Sequence, residues 1–135
     1  DETYVCALRE DHPDAHGSAL SLDRFCALDH ALVSFSGERF WGVTDDALAK
    51  INRERHVVLT MTSFLALAGL LRTTDLLAVL PRRLVESAPG LVALHPPVEI
   101  TGFTKLAVWH ERTHRDPGHR WVRALLFESV GITTV

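Results

Sequence analysis

Thr60, Thr62, Ser63 and Phe64 place three hydroxyls and an aromatic ring in one short stretch. An apolar run, VVLTM, leads into them and a second, LALAGLL, follows. The first reads as a strand and the second as a helix, so the hydroxyls fall at a strand-to-helix junction. The first N–H groups of a helix have no intrahelical acceptor, and such an end attracts a carboxylate or phenolate. Residue 66 is Ala, so no Glu or Gln stands where a capping box would consume those donors. Thr60, Thr62 and Ser63 add hydroxyl donors, and Phe64 adds a stacking face. The structural alternative is that Ser63 is a plain helix cap. A second cluster, Ser34, Phe35 and Ser36 before Gly37, ends another apolar run and is a candidate for the same cleft. Phe40 and Trp41 could supply an aromatic wall to it, but the favoured reading is satellite core packed over the loop. The chemistry of these groups is recognition of a small ligand, and no residue is assigned a catalytic role.

Other reactive residues point less clearly. Eight histidines invite a metal reading. His12 and His16 are four apart, but Pro13 opposes the helix that would bring them to one face. His110, His114 and His119 straddle a strand end, a turn and a helix start, whereas zinc needs three or four converging ligands. No metal site and no cofactor are assigned; a His-dependent metalloenzyme stands as the third reading. Arg112, Arg115, Arg120 and Arg123 make the carboxyl end locally basic, with Glu111, Asp116 and Glu128 among them, and read as a solvated face or subunit contact. No GxSxG, Walker or HExxH string occurs, so the chain is not read as an enzyme.

The elements that position these groups follow from pattern. Thr3–Arg9 is a strand, Ser21 caps a helix over LDRFCALDH, and Ala31–Phe35 is a strand. Thr44 caps a helix over DDALAKINRER, with Leu48 and Ile51 inward. Strand, helix and strand then occupy residues 57–81, a βαβ unit implying parallel strands and a right-handed crossover. Ligands of such sheets sit beyond the carboxyl ends of the strands, where Thr62 and Ser63 lie. Pro81 opens a helix over RRLVESA, and Leu91–His95 is a strand stopped by Pro96 and Pro97. Beyond Val98 the texture changes: a long strand over Ile100–Trp109, then Asp116 and Pro117 opening a helix over GHRWVRALLFES. Burying Trp109, Trp121, Leu125 and Leu126 would contribute ~1.5–3 kcal/mol each. Left open they form a sticky patch, so this segment is expected to dock on a second copy or on residues upstream of Asp1.

The bulk numbers agree with one α/β domain or a piece of a larger one. The 135 residues are 47% hydrophobic and 23% charged. A net charge of −3 argues against nucleic-acid binding by this chain itself. No run approaches the ~18 apolar residues of a membrane span, and no secretory signal is visible after Asp1. Cys6 and Cys26 read as reduced thiols of a cytoplasmic protein.

The order of these pieces resembles the LysR-type transcriptional regulators of bacteria. YVCALREDHP resembles the crossover into the second lobe of their effector-binding domain, followed by LSLDRFCALDHALVS. VVLTMTSFLALAGLLRTTDLLAVLPRRLV is similar to that lobe's central βαβ, and LAVWHERTHRDPGHRWVRALLFE to the return strand and last helix. The resemblance covers nearly the whole chain. It implies a type 2 periplasmic-binding-protein-like α/β fold, with residues 1–98 as the second lobe and 99–135 as the strand and helix returning to the first. It also implies that the junction after Thr62 lines an effector cleft, that the effector is a small aromatic or carboxylate compound, and that the protein is a dimer or tetramer. Operator DNA would be held only by an amino-terminal helix-turn-helix that this chain does not contain. The alternative with the same fold is a solute-binding protein of a transport system, which requires export.

Overall fold

The computed structural model describes residues 1–34 and 40–131. They form two units, Asp1–Thr104 and Lys105–Val135.

The first unit is built on a five-stranded sheet. Its strands are β1 (Tyr4–Arg9), β2 (Asp29–Val33), β3 (His56–Met61), β4 (Leu77–Pro81) and β5 (Leu91–Leu94), in the order β3-β2-β4-β1-β5. β2 runs parallel to both β3 and β4, and β1 is antiparallel to β4 and β5. The βαβ unit therefore has parallel strands, but β2 lies between its two members.

Alternation along the strands sends side chains to two cores. Val5 and Ala7 of β1 and Ala78 and Leu80 of β4 join Leu67, Ala68 and Leu71 of α3 (Phe64–Leu71) and Val85 of α4 (Arg82–Glu86). Cys6, Leu8 and Leu77 join Phe25 and Leu28, on and just after α1 (Leu22–Ala27), and Leu48 of α2 (Val43–Ala49). Helices thus cover both faces, the arrangement that parallel strands require. Ser21 caps α1 as expected, its hydroxyl accepting from Arg24 N–H at 3.2 Å.

Several local expectations need correction. The helix of α2 starts after Gly42, not at Thr44, and stops at Ala49. Asn52 then takes the left-handed conformation (φ 54°), which asparagine tolerates and which breaks the helical repeat. Ile51 consequently lies outside the helix and is exposed. Phe40 and Trp41 are not satellite core: both are more than half exposed, and Trp41 donates its indole N–H to Asp46 at 2.8 Å. Pro81 ends β4 and caps α4 without entering it.

The strand expected over Ile100–Trp109 does not form. Among the described residues its one backbone pairing is the antiparallel bridge between Phe103 and Glu2, and Gly102 is needed there because an added Cβ would collide with the Glu2 carbonyl oxygen. β-branched and aromatic composition makes a strand only where an edge is offered for pairing, and Leu106 and Val108 remain exposed.

The second unit holds a short 3-10 turn, Glu111–Thr113, and α5 (Pro117–Ser129). Asp116 caps α5 by accepting from His119 N–H at 2.9 Å, and Pro117 occupies its first turn. Among the described residues no helix is long and apolar enough to cross a membrane.

Candidate functional site

The parallel ladder between β2 and β3 sets the site. Val33 pairs with Met61, and Ser34 N–H donates to the Met61 carbonyl at 2.8 Å. That bond puts Ser34 beside Thr62, so two clusters far apart in sequence meet at one edge of the sheet. Thr62 and Ser63 are exposed and Ser34 is half-buried. Ser63 is the N-cap of α3: its hydroxyl oxygen accepts from Ala66 N–H at 3.3 Å. The structural alternative for Ser63 therefore holds, but it does not spend the hydroxyl proton, which a ligand oxygen can accept.

Thr60 and Phe64 are placed differently. Thr60 stands inside β3 opposite Leu32 and is half-buried. Leu59 and Met61 pack on the core shared with α3, so alternation turns Thr60 to the other face of the sheet. Phe64 is partly buried and packs against that same core. Phe35 and Ser36 lie outside the described residues.

Two cations at this edge were not singled out from sequence. Arg82 and Arg83 follow the carboxyl end of β4, whose Pro81 pairs with Tyr4. Arg82 donates from Nε to the Thr3 hydroxyl at 3.3 Å and pairs with Glu86 at 3.4 Å. It also lines a cavity of about 370 Å³ with Thr3, Tyr4, His95 and Pro96. Arg83 lies 3.9 Å from Glu2. The rule that pointed to Ser63 applies equally to the end of β4 and would have found both arginines.

Towards the amino ends of β2 and β3, one buried polar network links the sheet to α1 and α2. Asp45 accepts from Gly42 N–H at 2.7 Å and forms a two-pronged pair with Arg55 at 2.9 and 2.7 Å. Arg55 also contacts His30 Nδ1 at 3.3 Å, and His30 Nε2 donates to the Phe25 carbonyl at 2.7 Å. An arginine donates only, so Nδ1 is the acceptor and the imidazole is neutral with its proton on Nε2. Burial pushes its pKa down to about 4. Burial pushes the Cys6 thiol up to about 12, and Cys6 and Cys26 are both free.

The histidines have local work. The buried His12 accepts from Asp14 N–H at 3.0 Å, His110 caps the 3-10 turn through Arg112 N–H, and His114 stacks on Trp109. Among the described residues no three His, Cys, Asp or Glu side chains group as metal ligands would.

Comparison with known proteins places the chain. A family model described as the LysR substrate binding domain matches residues 1–131. The HTH-type transcriptional regulator SyrM of Rhizobium meliloti is 33% identical over 125 residues, covering 90% of this chain and 38% of SyrM. The HTH-type transcriptional activator NahR of Pseudomonas putida is 34% identical over 128 residues, covering 93% of this chain and 42% of NahR. The crystal structure of the regulatory domain of MexT, a transcriptional activator in Pseudomonas aeruginosa, matches with a TM-score of 0.67 and 34% identity, over 93% of this chain and 63% of that one. The chain spans well under half the length of the two curated relatives.

Proposed function

The chain belongs to the LysR substrate-binding domain family, and from that premise we propose that it is the effector-receiving part of a bacterial transcriptional regulator. The single observation behind the site is the Ser34–Met61 bond, which draws Ser34 against Thr62 and Ser63 at the carboxyl edge of a parallel sheet. Hydroxyl donors, the amino end of α3 and the two arginines after β4 suit a small carboxylate, and the exposed part of Phe64 suits an aromatic one. Thr60, turned to the opposite face, would contribute through the ladder. Phe35 and Ser36 remain part of the proposed cleft as its continuation past Ser34.

The mechanism proposed is lobe closure. Residues 1–98 act as the second lobe and 99–135 as the segment returning to the first. An effector that binds the closed arrangement better shifts the population by that difference in affinity. The regulator would work in the cytoplasm as a dimer or tetramer, hold DNA through a helix-turn-helix outside this chain, and catalyse no reaction.

Titration with a panel of small aromatic and aliphatic carboxylates tests the site. Thr62→Ala and Ser63→Ala should each weaken the best ligand about tenfold, the loss of one charge-assisted hydrogen bond. Curves unchanged in both variants would remove this site. The reading frame upstream of Asp1 tests the assignment: a helix-turn-helix followed by a linker helix supports the regulator, and a secretory signal supports the transport alternative. The regulators among its relatives favour the first.

A further inference from the structure

A cleft of about 810 Å³ lies within the second unit, between the Trp109–His114 turn and α5. Its aromatic walls are Trp109, Trp121 and Phe127, and its cations are Arg115, Arg120 and Arg123; among the described residues no Asp or Glu lines it. We propose that this cleft is a binding site for a small planar aromatic anion, separate from the site at the carboxyl edge of the sheet.

The floor of the cleft is already organised. The Arg123 guanidinium lies 4.7 Å from the Trp109 ring centroid and donates to the carbonyls of Thr113 and His114 at 3.3 and 2.7 Å. Trp109 donates its indole N–H to His114 Nδ1 at 3.2 Å, and the two rings are nearly parallel. Phe127 meets Trp109 edge-on, with centroids 6.5 Å apart. These contacts hold one aromatic surface and one guanidinium in place before any ligand arrives, which lowers the ordering cost of binding.

The remaining groups are unspent. The side chains of Arg115 and Arg120 make no ion pair or hydrogen bond among the described residues. Trp121 is 67% exposed, so its ring is open for stacking. Guanidinium groups beside aromatic faces recognise a carboxylate and the ring that carries it together.

The cleft is also distinct from the apolar stripe of the same helix. At about 100° per residue, Arg120, Arg123, Ala124 and Phe127 share one face of α5, whereas Val122, Leu125 and Leu126 fall on the opposite one. Protein packing on the stripe would leave the cleft open.

Isothermal titration of the 135-residue chain with benzoate tests the proposal, beside benzamide (the same ring without charge) and cyclohexanecarboxylate (the same charge without an aromatic face). Benzoate should bind one-to-one to the Thr62→Ala/Ser63→Ala variant, with both comparison compounds at least tenfold weaker. The Arg115→Gln/Arg120→Gln variant, which changes only exposed side chains, should weaken benzoate at least tenfold in that background, and Trp121→Leu should do the same. Benzoate that fails to bind, that is lost with Thr62 and Ser63, or that titrates the two-arginine variant like its parent overturns the cleft. The second of these outcomes would at the same time support the carboxyl-edge site.

Discussion

His30 shows how one residue couples the interior to solution conditions. It is fully buried and kept neutral, with a pKa of about 4 against an ordinary 6.5. The unfolded chain takes up the proton first as the pH falls. The stability this histidine contributes is therefore complete above pH 6.5, declines towards pH 4 and is flat below it. The span corresponds to ~3 kcal/mol. Urea-unfolding curves collected between pH 7 and pH 4 should show that decline, and His30→Gln should flatten it; parallel pH dependences would refute the assignment. The adjoining pair is more demanding. Arg55 and Asp45 are almost wholly buried, so Arg55→Ala strands a carboxylate in the core. The expected loss is ~3–5 kcal/mol, read as a lower urea midpoint. Asp45 sits in the first turn of α2, where the helix dipole favours a carboxylate with or without a partner. Arg55 is ten residues away and on no shared helical face, so only the turn at Asn52 and the start of β3 bring it back.

At the scale of elements, α3 is capped by Ser63, whose side chain is exposed at the carboxyl edge of the sheet. Ser63→Ala should cost about 1 kcal/mol of stability, and Ser63→Gly only a few tenths. If the hydroxyl also binds ligand, the two variants should lose affinity equally while differing in stability. Affinity that tracks stability would make Ser63 a cap alone. The βαβ unit around α3 was legible from its apolar runs, yet β2 between its strands was not, because parallel pairing leaves no local mark on the sequence. The meeting of Ser34 with Thr62 depends on that insertion.

For the whole molecule, charge and exposure divide unevenly. Residues 1–104 hold 9 Lys and Arg against 14 Asp and Glu, a net −5; residues 105–135 hold 5 against 3, a net +2; the two sum to −3. The basic part also exposes Val122, Leu125 and Leu126. Chains of these 135 residues should therefore associate as concentration rises, as exposed apolar patches do. Leu125→Glu with Leu126→Glu should abolish the rise in mass by light scattering. Association that persists in that variant but dissolves in 0.5 M salt would place the contact on the charges, which are screened beyond about 4 Å at that ionic strength.

Composition and periodicity alone determined most of the element list: five strands and the helices over LDRFCALDH, LALAGLL and GHRWVRALLFES sit within a few residues of where alternation and caps put them. The family was reached differently, through the resemblance of strings such as YVCALREDHP and WHERTHRDPGHRW to LysR-type regulators. Tertiary structure decided what depends on pairing. It inserted β2 between β3 and β4, gave Ile100–Trp109 only the Phe103–Glu2 bridge among the described residues in place of a strand, exposed Phe40 and Trp41, turned Thr60 away from Phe64, and brought Arg82 and Arg83 to the edge that holds Thr62 and Ser63. The reason is physical. Helix caps and alternation arise from neighbours a few residues apart, whereas strand order and the company a side chain keeps arise from contacts between residues distant in the chain.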